Sequence, residues 1–331
     1  MTDKIYDIAI IGGGPAGIFA AYYARLRKLD VALIETLPNL GGQPNTLYSQ
    51  KKIYDIAAIP SITGSELTEQ LIEQINFIGC DKFLGTSISN INQVDDDKWK
   101  LTTDNDNNKT IIAKSIIIAL GNGAFEPRKL TFDYDHELET NNIRYFVNDI
   151  EDFRNQDIAI AGGGDSAVDW AVDLNKVSNR TFLIHRRNKY RAMENSVDHL
   201  NSSSVEQLNP YIIKDVKPNM DKMDIIMKKL KSDDIDTITV DKLLVNYGFV
   251  SDSKILKEWN IDLEGPFIKV NEHMETNLPN VFAIGDIVTY SSKLQLIATA
   301  FAEGPIAVTK AIRNIYPERD FFEHSTSLFE N

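Results

Sequence analysis

Two closely similar segments occur in this chain, and they constrain the possible folds more than any other feature of the sequence. The first, DIAIIGGGPAGIFAA, covers residues 7–21, and the second, DIAIAGGGDSAVDWA, covers residues 157–171. Each has a short apolar run typical of a buried strand, then a cluster of glycines, then the start of an apolar helix. Because the segments align without a gap, the sequence predicts two strand–turn–helix units built in the same way.

The first segment has the glycine spacing of a turn that approaches a pyrophosphate. Its pattern predicts three elements: a strand at 6–11, a helix at 18–26 and a second strand at 31–34. Gly12 allows a tight turn, Gly14 lets the backbone approach the anion, and Gly17 lets the helix pack closely on the strand. Glu35, at the end of the second strand, can accept hydrogen bonds from both hydroxyls of a ribose. A pyrophosphate and a ribose together indicate a bound dinucleotide. The residues predicted to bind it are Gly12, Gly14, Pro15, Ala16, Gly17 and Glu35.

The second segment keeps this frame, but a different residue follows it. The pattern predicts a strand at 157–161 and another at 181–184, and alanine takes the third glycine position, which is an accepted variant. The second strand ends at His185 instead of an acid, in the sequence HRRNKYR. Arginines bind a 2′-phosphate through charge-assisted hydrogen bonds, whereas a carboxylate repels it. The alternative is a solvated basic turn, but we predict an NADP site formed by Gly162, Gly164, Asp165, Ser166, Ala167, His185, Arg186, Arg187 and Arg191.

A third segment, TNLPNVFAIGD at 276–286, combines a proline turn with a short apolar strand that ends in Gly285 and Asp286. It resembles the second segment that contacts FAD in flavoproteins with two dinucleotide-binding domains. In those proteins the aspartate holds the ribitol of the flavin, and the next helix points towards the isoalloxazine ring. The resemblance implies a helix at 297–313 here, with Gly285 and Asp286 as flavin contacts.

Together these segments resemble the thioredoxin-reductase-like flavoproteins. GGQ at 41–43 and ALGNGAF at 119–125 lie where that family has its other characteristic segments, so Gly42 and Gln43 become expected FAD contacts. The resemblance implies an α/β fold with two Rossmann-like dinucleotide-binding domains, each a three-layer ββα arrangement. The implied FAD domain is discontinuous, at 1–118 and 249–331. The implied NADPH domain lies between, at 119–248, with hinges near Gly121 and Gly248.

The redox-active cysteine pair of thioredoxin reductases is missing. In that family a Cys-x-x-Cys motif lies just before the second glycine turn, where this chain has YFVNDI at 145–150. Matching the tyrosine places Phe146 and Asp149 at the two thiol positions. A dithiol relay needs two sulfurs that alternate between thiolate and disulfide, and Cys80 is the only cysteine of the chain. Reduction of thioredoxin through an internal disulfide is therefore excluded.

A closer resemblance is to the ferredoxin (flavodoxin)–NADP+ reductases built on the thioredoxin reductase fold. Tyr48, in LYSQKKIYDIAAIP at 47–60, resembles the aromatic residue that stacks on one face of the flavin. The tail EHSTSLFE at 323–330 resembles the extension that reaches the flavin of the other subunit in a homodimer. By that resemblance His324 covers the opposite face of the ring, and Ser325 and Thr326 lie near N5, with Thr326 also an FAD contact.

The resemblance implies hydride transfer from NADPH to N5 of FAD, followed by single-electron transfer to ferredoxin or flavodoxin. No catalytic acid–base pair is required, because the cofactor supplies the chemistry. One alternative is an NADPH dehydrogenase whose acceptor is a quinone, an iron chelate or another flavin. Another is a non-catalytic FAD- and NADPH-binding redox sensor, and a third is thioredoxin reductase itself.

Composition narrows the possible partners and location. The chain has 331 residues and a net charge of −13, which argues against a nucleic-acid partner, and no apolar run approaches the length of a membrane helix. We expect no signal peptide, because acidic residues occur early in the chain. We expect a cytoplasmic enzyme, because a chain with one cysteine suits that compartment. We also expect no metal site. An acidic carrier would need a local basic surface. Candidates for it are Lys51, Lys52, Arg25, Arg27 and Lys28, whereas Lys228, Lys229 and Lys231 are expected on a solvated helix face.

Overall fold

The structure is a computed structural model, and it describes residues 4–95, 97–104, 110–121, 126–250 and 254–319. The chain divides into two compact units. Unit 1 combines residues 1–124 with residues 251–331, and unit 2 is the segment 125–250 between them.

The strands and helices are numbered in chain order. The strands are β1 (Ile5–Ile11), β2 (Val31–Ile34), β3 (Lys52–Ile53), β4 (Ile62–Thr63), β5 (Asp81–Phe83), β6 (Ile88–Asp95), β7 (Lys98–Thr103), β8 (Thr110–Ile118), β9 (Glu126–Pro127), β10 (Ile143–Arg144), β11 (Asp157–Gly162), β12 (Arg180–Ile184), β13 (Glu206–Leu208), β14 (Tyr211–Asn219), β15 (Lys222–Lys229), β16 (Ile235–Val240), β17 (Lys242–Asn246), β18 (Phe249–Val250), β19 (Leu263–Glu264), β20 (Phe267–Lys269), β21 (Val281–Ala283) and β22 (Val288–Thr289). The α-helices are α1 (Pro15–Leu26), α2 (Gly42–Thr46), α3 (Gly64–Ile78), α4 (Leu138–Asn141), α5 (Asp165–Leu174), α6 (Glu194–Asn201), α7 (Lys254–Glu258) and α8 (Ile297–Ile315).

Unit 1 is built on a seven-stranded sheet in the order β5-β2-β1-β8-β7-β6, with β21 also paired to β8. The central strands β1, β2 and β8 are parallel, and β1 and β2 are buried almost throughout. Continuous apolar runs such as these are typical of parallel strands that are covered on both faces. All these strands therefore end at one carboxyl edge, where the first glycine turn follows β1.

The two sequence-distant pieces of unit 1 are joined by direct hydrogen bonds as well as by the β8–β21 pairing. The indole nitrogen of Trp99 donates to the carbonyl of Pro279 at 3.0 Å, and the hydroxyl of Ser115 donates to the carbonyl of Asn280 at 2.8 Å. Helices α1 and α8 approach closely, since a Cβ added to Gly304 would lie 3.3 Å from the Cβ of Ala20. Residues after position 254 therefore complete the core that begins with β1.

Unit 2 contains a five-stranded parallel sheet in the order β10-β17-β11-β12-β13 and a separate antiparallel sheet, β14-β15-β16. Its core combines residues from both sheets, including Phe182, Met223, Ile225 and Leu243. The central strand β11 lies between β12 and β17, which places the second glycine turn at the carboxyl edge of this sheet.

Two local expectations need correction. The cluster Lys228, Lys229 and Lys231 is not on a helix, because Lys228 and Lys229 end β15 and Lys231 follows in a turn with φ of 64°. Met223, Ile225 and Met227 of β15 are buried at every second position, which is the periodicity of a strand. Helix α1 begins at Pro15 instead of residue 18, because proline is well accommodated in the first turn, where its missing N–H costs nothing.

Candidate nucleotide-binding sites

The first glycine turn is held in one conformation by steric contacts that exclude larger residues. Gly12 has φ of +115°, and a Cβ there would lie 2.3 Å from the carbonyl oxygen of Ala119. A Cβ on Gly17 would lie 1.9 Å from the carbonyl oxygen of Gly12. Gly14 then caps α1 without a side-chain hydrogen bond, so the first N–H groups of the helix have no side-chain acceptor at the cap. This turn has the backbone geometry that an anionic pyrophosphate requires.

Glu35 faces this turn. Its side chain is 8% exposed, Oε2 accepts from the backbone N–H of Gly13 at 2.7 Å, and Oε1 accepts from Leu37 at 2.9 Å. Each carboxylate oxygen can accept a further hydrogen bond. The two backbone donors therefore orient the carboxylate at the carboxyl edge and leave acceptor capacity for ribose hydroxyls.

The GGQ segment packs against the same turn. The backbone N–H of Gly41 donates to the carbonyl of Gly13 at 2.8 Å, and a Cβ on Gly42 would lie 2.8 Å from the Cα of Gly14. Gln43 is half-buried and lies near Gly121, since a Cβ added there would be 3.4 Å from its Nε2. The structure thus brings Gly42 to the turn and Gln43 to the segment that follows β8.

The third segment joins this site from the second piece of unit 1. Strand β21 leads through Ile284 into a 3₁₀ turn at Gly285–Ile287, and a Cβ on Gly285 would lie 3.2 Å from the Cβ of Ala16. The carboxylate of Asp286 is half-buried and makes no hydrogen bond with another described residue. Burial raises the pKa of Asp286, Lys293 lowers it, and the charge of Glu303 raises it. A carboxylate with free acceptor capacity towards the described residues fits a group that brings hydroxyl donors.

Tyr48 is half-buried against the core of unit 1. Burial raises the pKa of its phenol, and the charges of Asp286 and Asp55 raise it further. The phenol is therefore neutral, and it lies within electrostatic range of Asp286. Tyr54, from the same sequence segment, is 68% exposed and does not belong to the core.

Sequence reasoning missed the network that supports Asp286. Glu303 of α8 is buried, its Oε2 accepts from the backbone N–H of Gly285 at 2.6 Å, and its Oε1 accepts from the hydroxyl of Tyr290 at 2.7 Å. Lys293 also donates to Oε1. An isolated glutamate inside an apolar helix sequence was the one signal that could have indicated it.

The second glycine turn follows β11 in unit 2. Gly162 pairs in register with Asn246 of β17, and a Cβ on Gly162 would lie 2.6 Å from the carbonyl oxygen of Asn246. Gly164 caps α5, whose residues Asp165 and Ser166 are exposed, and Ala167 is buried. The N-terminus of α5 is therefore open at the carboxyl edge of the sheet, as it is in the first turn.

The HRRNKYR loop folds back onto this turn. The backbone N–H of Arg191 donates to the carbonyl of Gly163 at 2.7 Å, and the backbone N–H of Met193 donates to Oδ1 of Asp165 at 2.9 Å. The side chains of Arg186, Arg187 and Arg191 are exposed, and none has an ion pair or hydrogen bond to a described residue. Three exposed cations beside a helix N-terminus form a basic surface in a chain of net charge −13.

His185 occupies a different environment from these arginines. It is 9% exposed, its ring stacks on Tyr190 at 5.3 Å, and a Cβ on Gly163 would lie 2.2 Å from the ring. Burial lowers the pKa of His185, and the charges of the nearby arginines lower it further, although a hydrogen bond with the backbone of Lys189 raises it. The imidazole is therefore neutral at pH 7 and forms part of the floor of the turn.

Two buried polar atoms lie at this edge of the sheet. Nε2 of His185 and Nδ2 of Asn246 are buried and make no hydrogen bond within the described part of the chain. They flank the turn from β12 and β17, the strands on either side of β11. Asn246 was not predicted from the sequence, because an asparagine after an apolar strand gives no specific signal.

The chain is similar to known proteins over nearly its whole length. The sequence pattern of the family described as pyridine nucleotide-disulphide oxidoreductase matches residues 6–304. The ferredoxin--NADP reductase 2 of Latilactobacillus sakei is 47% identical over 98% of both chains. The ferredoxin--NADP reductase of Limosilactobacillus fermentum is 45% identical over 98% of this chain and 99% of its own.

The chain belongs to the ferredoxin–NADP reductase family. Its fold is that of the thioredoxin reductases: the crystal structure of the Lactococcus lactis enzyme in its FR conformation matches with a TM-score of 0.82, at 28% identity, over 94% of this chain and 99% of that one. The predicted fold class, a thioredoxin-reductase-like α/β fold with two dinucleotide-binding domains, is confirmed. Family membership implies binding of FAD and of NAD or NADP.

The redox-active disulfide of the thioredoxin reductases is absent from this chain, as predicted. Cys80 is the only cysteine, it is half-buried, and burial raises the pKa of its thiol. At the positions matched to the thiols, Asp149 caps the 3₁₀ turn Ile150–Phe153 by accepting from Glu151 N at 3.0 Å. Phe146 occupies the other position.

No group of three or more histidine, cysteine or acidic side chains is arranged to hold a metal ion in the described ranges. Within those same ranges, no helix has the length and hydrophobicity needed to cross a membrane.

Proposed function

We propose that this protein transfers electrons between NADPH and a one-electron carrier, ferredoxin or flavodoxin, through FAD bound in unit 1. The observation that carries the proposal is the contrast between the two glycine turns. The first turn faces a buried carboxylate, Glu35, whereas the second is bordered by the exposed arginines 186, 187 and 191. A carboxylate excludes a 2′-phosphate and arginines bind one, so the two turns suit FAD and NADPH respectively.

In unit 1, Gly12, Gly14, Pro15, Ala16 and Gly17 would hold the pyrophosphate of FAD, and Glu35 its adenosine ribose. The half-buried carboxylate of Asp286 would accept from the ribityl hydroxyls, with Gly285, Gly42 and Gln43 beside the cofactor. Tyr48, which is neutral, would stack on the ring. When bound, FAD supplies acceptance of a hydride at N5 and release of single electrons.

In unit 2, Gly162, Gly164, Asp165, Ser166 and Ala167 would border the pyrophosphate of NADPH. Arg186, Arg187 and Arg191 would bind the 2′-phosphate. We assign His185 to the wall of this site, because it is neutral and its ring packs beneath Gly163.

Electrons would leave directly from the flavin, because the chain has no second thiol for a disulfide relay. The names of the relatives specify ferredoxin, and we infer the same class of carrier here. Among the predicted docking cations, Arg25 and Arg27 already bind within unit 1: Arg25 donates to the carbonyl of Gly79, and Arg27 donates to the hydroxyl of Tyr23. Lys52, exposed on β3, is the better candidate for docking.

The predicted flavin contacts of the tail, His324, Ser325 and Thr326, lie outside the described residues. We propose that they cover the flavin of the partner subunit in a homodimer, as the family resemblance implies. Sedimentation of the FAD-loaded protein would reveal the dimer.

The test is reduction of cytochrome c by NADPH, with and without ferredoxin and flavodoxin from the same organism. We expect a strong stimulation by one of these carriers. Preference for quinones, iron chelates or free flavins would instead indicate an NADPH dehydrogenase. Rapid reduction of bound FAD with negligible turnover to any acceptor would indicate a redox sensor, and turnover with thioredoxin would contradict the cysteine argument.

A further inference from the structure

A buried ion pair contacts the turn that carries Asp286. The side chains of Lys293 and Glu303 are 6% and 2% exposed. Three donors converge on the carboxylate of Glu303: the backbone N–H of Gly285, the hydroxyl of Tyr290 and the ammonium of Lys293. Both carboxylate oxygens therefore have partners, and one of those partners is the backbone of the proposed flavin contact.

Such a pair is poorly explained as a source of stability. Removing two charges from water is costly, and apolar residues of similar volume often stabilise a protein equally well. In some proteins buried ionic groups are retained because they fix one geometry among several. The question is therefore which geometry this pair fixes.

The ion pair fixes the orientation of the peptide between Ile284 and Gly285. Gly285 has φ of +81°, and its N–H donates to Glu303 at 2.6 Å. Asp286 follows Gly285 directly in the chain, and its carboxylate makes no hydrogen bond with another described residue. Since no hydrogen bond to a described residue fixes the carboxylate, its position depends on the backbone, which Glu303 holds at Gly285.

We propose that Glu303 is a positioning residue for the flavin. By binding the N–H of Gly285 while paired with Lys293, it orients Asp286 so that the carboxylate accepts from the ribityl hydroxyls of FAD. The inference rests on the proposed FAD site in unit 1. It adds Glu303 and Lys293, which would act through Gly285 and Asp286, to the residues that determine how tightly the flavin is held.

Glu303 also connects α8 to the turn that follows β21, so its loss could weaken FAD binding simply by destabilising the fold. This structural role must be distinguished from the positioning of Asp286. The variants E303L, E303Q and the double variant K293M/E303L make this separation. The double variant replaces the whole ion pair with apolar side chains, which is expected to restore folding stability. It still lacks any acceptor for the N–H of Gly285.

The experiment measures FAD release from the holoprotein by the rise in flavin fluorescence, together with visible circular dichroism of the bound flavin and the thermal unfolding midpoint. We expect E303L and K293M/E303L to release FAD about tenfold faster or more, the effect of losing one charge-assisted hydrogen bond. We expect an intermediate rate for E303Q, whose amide oxygen can still accept from Gly285. The flavin dichroism of the double variant should stay altered while its unfolding midpoint returns towards that of the wild type.

Matched controls use the Glu275–Lys310 pair, whose Lys310 lies on the same helix and whose atoms are 3.5 Å apart with side chains about one-third exposed. E275Q and K310M should leave the release rate unchanged. Recovery of wild-type FAD release in K293M/E303L would overturn the proposal, because stability alone would then explain the single variant. If E303L does not fold, the double variant and E303Q carry the test. Wild-type protein that retains no FAD would overturn the proposed function itself.

Discussion

At the scale of single residues, we expect Arg186 and Arg187 to determine the preference for NADPH over NADH. Both follow β12 at the carboxyl edge of the sheet and are exposed, without a hydrogen bond or ion pair to a described residue. Replacing both by alanine should raise the KM for NADPH ten- to a hundredfold and shift preference towards NADH, because ~1.5–3 kcal/mol of charged hydrogen bonding is lost. Steady-state kinetics with both nucleotides and ferricyanide as acceptor would measure this.

Arg180 provides the control for that variant. It lies at the opposite end of the same strand and pairs with Glu206 at 2.9 Å, where both side chains are about half exposed. R180A should leave both KM values unchanged, since exposed ion pairs contribute little. An unaltered preference for NADPH in the double arginine variant would contradict the proposal that these arginines bind the 2′-phosphate.

His185 gives a pH-dependent prediction at the same scale. Burial and the neighbouring arginines lower its pKa below the usual value of 6.5. Between that value and the lower pKa of the folded protein, the unfolded state binds more protons, so the free energy of unfolding falls as pH falls. H185F keeps an aromatic ring against Tyr190 but cannot titrate. We therefore expect the wild type to lose more stability than H185F between about pH 7.5 and 5.

Denaturant unfolding across this pH range would measure the difference. His199→Asn, at an exposed position of α6, controls for the loss of a histidine. Parallel pH profiles for the wild type and H185F would show that the imidazole is not held neutral by its surroundings.

At the scale of elements, the two glycine turns differ in how closely the helix approaches the strand. A Cβ on Gly17 would collide with the carbonyl oxygen of Gly12 at 1.9 Å, whereas the second turn accommodates Ala167. G17A should therefore displace α1, lower the unfolding midpoint and abolish retention of FAD, because overpacking of this kind costs about 1–3 kcal/mol or more. Flavin absorbance per protein and thermal unfolding would measure both effects.

The reciprocal variant A167G is the control. It removes a methyl group from a turn that does not need glycine, so we expect a destabilisation of only about 0.5–1 kcal/mol and unchanged FAD content. Full flavin retention in G17A would show that the strand and helix can separate without loss of the site.

The basic clusters show what local sequence could not predict at this scale. Lys228 and Lys229 resembled a helix face by charge alone, but Met223, Ile225 and Met227 pack at alternate positions of β15. Arg25 resembled a docking residue, yet it donates to the carbonyls of Gly79 and Leu29. A run of charged residues does not indicate which groups its side chains contact, because those groups lie elsewhere in the chain.

At the scale of the whole molecule, the tail gives the remaining prediction. Truncation before His324 removes the proposed cover of the flavin and the neighbours of N5. We expect an altered visible spectrum of the flavin and faster reduction by NADPH, because less rearrangement is needed before hydride transfer. Stopped-flow reduction of the truncated protein would measure this. A spectrum and rate identical to those of the full chain would mean that residues 324–331 do not reach the flavin.

The sequence by itself determined the two glycine turns, the opposite charge of the residues that follow them and the absence of a second thiol. These features are local or simply counted, so spacing and composition suffice to predict them. Only the tertiary structure decided what surrounds them. It buried Glu303 against Gly285, left the carboxylate of Asp286 without a hydrogen-bond partner among the described residues and put the neutral ring of His185 beneath Gly163. Each depends on contacts between residues distant in the chain, because burial and hydrogen bonding are properties of packed elements and not of their spacing.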